Sequence, residues 1–148
     1  MNIFAEQPIL QIIFGLVLFY VGLKWFAGGF KSMGDVAWLS YFTGNIVYMF
    51  VGGIVLTLAW QSSSLSTAAI VGLVASGVVP LPAAIAFVLG ANIGTTGTIW
   101  LASILSSNGW PTSELRHIAV AHTAFNTFMA LTILPFVRPI ATLIQKVF

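Results

Sequence analysis

From Val36 to Ser113 the chain carries neither a charged residue nor a histidine, yet the polar tetrad Gln61-Ser62-Ser63-Ser64 interrupts this run. It follows directly on the apolar segment Ile46 to Trp60. In lipid each unsatisfied polar group costs several kcal/mol, and irregular backbone is tolerated only inside protein or beside a water-filled cavity. A fold that carries this tetrad to membrane depth has to shelter it or wet it. The tetrad is therefore the first candidate binding site.

The membrane itself follows from composition. Hydrophobic residues make up 59% of the 148 and charged residues 5%, against about 25% charged in soluble domains; mean hydropathy is +1.04. The expectation is one transmembrane domain over residues 1–148, in contact with membrane lipid. Cysteine is absent, which excludes a disulfide framework and a thiolate metal site. A net charge of +2 from so few groups carries no nucleic-acid message. Residues 1–8 hold no lysine or arginine and so lack the basic start of a signal peptide, which makes the first apolar segment a retained span.

Ile9 to about Phe30 reads as that span, with Lys24 and Lys31 snorkelling at its far end and Trp25 at the interface. Residues 31–43 read as an interfacial connector. Two apolar arms follow, Asn45 to Trp60 and Leu65 to Val79, separated by the tetrad. Both are shorter than the roughly 17–20 residues a span needs. A re-entrant hairpin with the tetrad at its tip fits this length; two tilted spans joined by a surface turn are the alternative. Ala83 to about Leu105 is long enough to cross. Its centre, Gly90-Ala-Asn-Ile-Gly-Thr-Thr-Gly-Thr98, predicts a span discontinuous at mid-membrane, although Gly90-x-x-x-Gly94 is also a helix-packing pattern. Ser106 to Ser113 reads as a loop, Glu114 to Val137 as the last span, and Ile140 to Phe148 as a short amphipathic tail. Lys24, Lys31, Arg138 and Lys146 then share one face and Arg116 the other, which predicts the N-terminus outside and the C-terminus inside.

With tip and break at one depth, helix ends supply the missing charges. Two half-helices begin there, and each N-terminus presents free N–H groups and about half a positive charge. Together they form an anion site without lysine or arginine, where the hydroxyls of Ser63, Ser64, Thr95 and Thr96 can cap the helices and contact a ligand. Two other half-helices end there, at Trp60 and near Leu89-Gly90, with carbonyl oxygens that suit a small hard cation. Gln61, Ser62, Thr67 and Asn92 can complete that shell. Adjacent anion and cation sites are what ion-coupled anion uptake requires.

Thr57-Leu-Ala-Trp-Gln61-Ser-Ser-Ser64, Gly90-Ala-Asn-Ile-Gly-Thr-Thr96 and Ala121-His122-x-x-Phe125-Asn126 resemble, in order and spacing, the type II sodium/phosphate cotransporter family. The resemblance runs from about Phe14 to Val137. It implies sodium-driven import of inorganic phosphate at the cell (inner) membrane. It implies that the serine tetrad at the hairpin tip forms part of both the substrate and the sodium sites. With the helix-end reading, the expected phosphate residues are Ser62, Ser63, Ser64, Thr95 and Thr96, and the expected sodium residues Gln61, Ser62, Thr67, Asn92 and Gly90. Family members usually carry two such repeats in opposite orientation, whereas this chain has one tetrad. The expected fold is all-α: three transmembrane spans plus a re-entrant helical hairpin, one half of an inverted-repeat transporter. Such a half needs an antiparallel partner, a second copy of itself with dual topology or a related half-transporter.

His122 and Asn126 share a helix face and read first as interhelical packing groups, with a supporting role at the site as the functional alternative. Arg116 and His117 read as topology and headgroup anchors. Three rival functions remain: an intramembrane serine protease with His122 as base, a non-transporting or regulatory membrane subunit, and an uncoupled anion channel. The protease reading lacks a Gly-x-Ser-x-Gly elbow.

Overall fold

The computed structural model describes residues 7–34, 37–105 and 112–147, and these are predominantly α-helical. Residues 106–111 of the loop expected over Ser106 to Ser113 lie outside them, as do the first six residues, while Thr112 and Ser113 belong to the last long helix. The helices are α1 (Pro8–Ser32), α2 (Ala37–Gly44), α3 (Ile46–Trp60), α4 (Ser63–Ala75), α5 (Leu81–Gly94), α6 (Thr96–Leu105), α7 (Thr112–Ile133) and α8 (Val137–Val147), with a 3-10 turn at Leu134–Phe136 before α8. Three helical stretches among the described residues are long and apolar enough to cross a membrane: Pro8–Ser32, Leu81–Leu105 and Ser113–Val147. The chain is a multi-pass membrane protein.

The largest helix contact is between α3 and α5, and glycine creates it. A Cβ built on Gly53 would lie 2.0 Å from the Phe87 carbonyl oxygen, and one on Gly90 would lie 1.9 Å from that of Phe50. The two helices therefore touch backbone to backbone, with glycine Cα–H groups set against carbonyl oxygens, contacts of about 0.5–1 kcal/mol each. Gly94 faces Ile54 and Thr57, and Gly97 faces Leu58. Residue numbers rise together along both helices, so α3 and α5 run parallel in fixed register.

Asn45 starts α3, its Oδ1 accepting from the N–H groups of Val47 (2.8 Å) and Tyr48 (3.3 Å). After Trp60 the chain reverses through Gln61 and Ser62 into α4, which packs on α5 as well as α3. Met49, Ile70, Val79, Ala83, Ala84 and Phe87 form the buried core between these three helices. Pro82 lies in the first turn of α5, where a missing N–H costs nothing. Helix α1 lies along α4, with Leu23 and Ala27 against Gly72, and exposes most of its large side chains. Lys24 sits 5.1 Å from the Tyr20 ring centre, a cation–π contact at the far end of α1. Helix α7 packs on α6 and α5, and α8 packs on α5.

Two boundaries differ from the sequence reading. The break expected across Gly90 to Thr98 contracts to one residue: Thr95 keeps right-handed helical angles (φ −57°, ψ −29°), and its N–H still bonds to the Ala91 carbonyl at 3.0 Å. Small residues here allow close packing on α3, which holds the helix wound. At the other end, the last span expected to reach Val137 ends as α-helix at Ile133, and Val137 instead opens α8, with Pro139 in its first turn where a missing donor is tolerated.

Gly53→Ala should lower stability by about 1–3 kcal/mol, since its Cβ would meet backbone that cannot move aside. Gly52→Ala, with nothing within 4 Å of the added Cβ, should be neutral or slightly stabilising. Thermal unfolding of the two variants in detergent checks this pair.

Candidate functional site

The reversal at Gln61-Ser62 is held by a compact hydrogen-bond set. Gln61 is the only described non-glycine residue with positive φ (52°), and its N–H bonds to the Thr57 carbonyl at 2.8 Å, closing α3. Ser62 is extended (φ −147°, ψ 100°) and caps α4: its Oγ accepts from the Leu65 N–H at 3.2 Å. Beneath the turn, the Thr57 hydroxyl donates to Ser66 Oγ at 2.8 Å, and the Ser66 hydroxyl donates to the Ser62 carbonyl at 3.0 Å. Thr57 and Ser66 are fully buried. This relay ties both arms to the backbone of the tip.

The tip meets the second of the three long helical stretches, Leu81–Leu105, at its interruption. Thr98 donates its hydroxyl to Gln61 Oε1 at 2.7 Å, while Gln61 Nε2 donates to the Leu58 carbonyl. Helix α6 continues past this level to Leu105. The tip thus stops partway along the 25-residue stretch Leu81–Leu105.

The site residues take distinct positions around this junction. Ser62, and not Ser63 or Ser64, supplies the cap of α4. Ser63 is half-buried and Ser64 exposed in its first turn, where the amides of both belong to the free positive end of the helix. Thr67 is half-buried one turn on, and Asn92 is exposed on α5. The Thr95 and Thr96 hydroxyls donate to the carbonyls of Ala91 (3.0 Å) and Ile93 (2.8 Å), back along α5, instead of capping α6. Since Thr98 N–H reaches the Thr95 carbonyl at 3.3 Å, α6 offers a weaker positive end than a fully broken helix would. Gly90 is a buried packing contact inside α5. The C-terminal carbonyls expected near Leu89-Gly90 lie at Gly94 instead, where α5 ends.

No charged side chain occurs between Val36 and Ser113, and among the described residues no three His, Cys, Asp or Glu gather as a metal site. The polar atoms here are neutral hydroxyls, amides and helix ends. Such a set can accept an anion at the start of α4 and offer carbonyl and hydroxyl oxygens to a hard cation. It lacks the acid–base pair that group-transfer chemistry needs.

Residues 12–137 match the family described as Na+/Pi-cotransporter. The chain belongs to the Na+/Pi-cotransporter family. That is a family of transporters, not enzymes. Sodium-dependent phosphate transport protein 2A of Rattus norvegicus is 38% identical over 111 residues, 74% of this chain and 17% of that protein. Sodium-dependent phosphate transport protein 2B of Homo sapiens is 30% identical over 135 residues, 85% of this chain and 19% of that protein. A third relative, 2C of Homo sapiens, is 45% identical over 76 residues, 51% of this chain and 12% of that protein. The chain thus spans less than a fifth of each of these relatives. No solved structure matches significantly.

In this Na+/Pi-cotransporter family member, His122 and Asn126 lie on α7, where the Asn126 amide donates to the His122 carbonyl at 2.8 Å. His122 Nδ1 is buried without a hydrogen-bond partner among the described residues. On the same helix, Thr123 accepts from the Trp100 indole at 2.9 Å, fastening α6 to α7. Sequence reasoning missed Thr57 and Ser66 as tip supports and Thr98 as the partner of Gln61. Their signal was position: Thr57 lies four residues before Gln61, and Ser66 four after Ser62, so each sits one helical turn from the reversal.

Thr57→Val should cost about 1–3 kcal/mol by removing a buried donor from Ser66, whereas Thr57→Ser should keep most of the stability. Thermal unfolding, with limited proteolysis at the Gln61-Ser62 turn, measures the difference.

Proposed function

We propose that this chain is a half-transporter for sodium-coupled import of inorganic phosphate across the cell membrane, working by alternating access. The carrying observation is the junction of the Gln61-Ser62 reversal with the Thr95–Thr98 segment, fixed by the Thr98–Gln61 hydrogen bond. Gln61, Ser64, Asn92 and Thr98 there are exposed on a molecule whose surface is otherwise crowded with large apolar side chains. Polar groups at that depth are costly against lipid, which supports a reading in which a second unit or water covers them. The names of the relatives, sodium-dependent phosphate transport proteins, supply the substrate and the coupling ion.

In this reading residues 1–148 form one transport unit, with α3 and α4 as a re-entrant hairpin. Both arms, 15 and 13 residues long, fall below the roughly 17 residues a spanning helix needs. Phosphate binds at the amides and hydroxyls of Ser62, Ser63 and Ser64, with Thr95 and Thr96 opposite. Sodium, as a cotransported ion, binds through Gln61, Ser62, Thr67, Asn92 and the carbonyls at the end of α5. His122 and Asn126 support the site from α7. The unit pairs with an inverted copy of itself or a related half, as part of an inverted-repeat architecture. The charge bias of Lys24, Lys31, Arg138 and Lys146 supports an inside C-terminus.

The test is uptake of radiolabelled phosphate into liposomes holding this chain, with and without an inward sodium gradient. Sodium-dependent uptake is expected. Flux indifferent to sodium would indicate an uncoupled channel, and activity only after adding a second protein would indicate a heteromeric subunit. Ser63→Ala with Thr95→Ala should weaken apparent phosphate affinity about ten-fold or more for each lost hydrogen bond to the anion, the Thr95 hydroxyl turning from the Ala91 carbonyl to the phosphate when it binds. Unchanged affinity would remove these two residues from the substrate site.

A further inference from the structure

The 35-residue helical run from Ser113 to Val147 is too long to lie wholly across a bilayer. A straight helix of that length would extend about 52 Å, against a hydrocarbon core of about 30 Å. The 22 residues of α7 account for about 33 Å by themselves. The 3-10 turn Leu134–Phe136, with Pro135 inside it, separates α7 from α8, and α8 packs against α5.

The sequence of α8 sorts cleanly by face. At about 100° per residue, Val137, Ile140, Ala141, Leu143, Ile144 and Val147 fall on one arc. Arg138, Thr142, Gln145 and Lys146 fall on the opposite one. Val137 and Ala141 are buried, whereas Leu143 and Val147, on the other flank of the apolar arc, are 64% and 67% exposed. The polar arc carries two basic residues, and α8 holds no acidic residue.

We propose that α8 is a membrane-surface helix that docks on an anionic phospholipid face. Leu143 and Val147 enter the acyl boundary, and Arg138 and Lys146 meet lipid phosphates in the headgroup layer. A short helix with an apolar arc and a basic polar face lies in the interface plane, and each basic residue near an anionic surface favours docking about five-fold. The proposal is independent of the transport reading, because it concerns lipid held by α8 and no residue of the candidate transport site.

The chain has no cysteine, so Leu143→Cys in the full chain gives one label position for an environment-sensitive fluorophore. The labelled protein is placed in vesicles of phosphatidylcholine alone or with added phosphatidylglycerol. The expected result is blue-shifted emission, shallow-quencher access and protection from aqueous iodide, all stronger with phosphatidylglycerol. Adding Arg138→Gln and Lys146→Gln should reduce the docked-to-undocked ratio about thirty-fold and abolish the lipid dependence. Iodide access equal in both vesicles would overturn the proposal. So would quenching only by deep acyl-chain probes, or a phosphatidylglycerol effect that survives loss of both charges.

Discussion

The backbone contact between α3 and α5 is the constraint on which the rest of the arrangement depends. Gly53 and Gly90 admit each other's neighbouring carbonyls, from Phe87 and Phe50, at distances that any side chain would block. In a membrane the hydrophobic effect does not distinguish helix from lipid, so association rests on close packing and weak polar contacts between backbones. Once these two helices are in register, Gly94 lies against Thr57 and Gly97 against Leu58. The reversal after Trp60 then arrives beside Thr95–Thr98. A shift of one turn along α5 would carry the tip away from that segment.

Polar atoms at the junction are satisfied in a graded way. The inner layer is closed: the fully buried Thr57 and Ser66 hydroxyls bond to each other and on to the Ser62 carbonyl, which is the condition for burying polar atoms at little cost. The outer layer is open, with Ser64 and Asn92 exposed and the first amides of α4 turned to the tip. The inner bonds hold the reversal, and the outer groups remain available to a ligand or partner. Gln61 joins the layers, since its left-handed backbone makes the turn while its side chain is shared between Thr98 and Leu58. A non-glycine residue in that conformation stores about 1 kcal/mol or more of strain, consistent with a position whose side chain is needed.

Much of the architecture was legible because lipid is an unforgiving solvent. The arm boundaries at Asn45 and Trp60 and the start of the first span at Ile9 follow from apolar run length, and the helices fall within a few residues of them. The break at Gly90–Thr98 was legible only as a weakness. Three glycines and an asparagine predict an unwound centre, yet packing on α3 keeps the backbone helical up to Thr95. The capping role of Ser62 was obscured for a similar reason, since three consecutive serines are interchangeable until the turn fixes which one is extended.

By itself the sequence determined that this is a multi-pass helical membrane protein of the Na+/Pi-cotransporter family, with its polar chemistry confined to two uncharged islands. Those properties follow from residue type and order, because the length and polarity of an apolar run decide whether it can cross lipid as a helix. Only the tertiary structure decided that the islands meet, that Thr98 and not Thr96 bonds to Gln61, and that Thr57 and Ser66 support the turn from beneath. Pairing between residues 37 positions apart depends on helix register, which two glycines set by allowing backbones to touch.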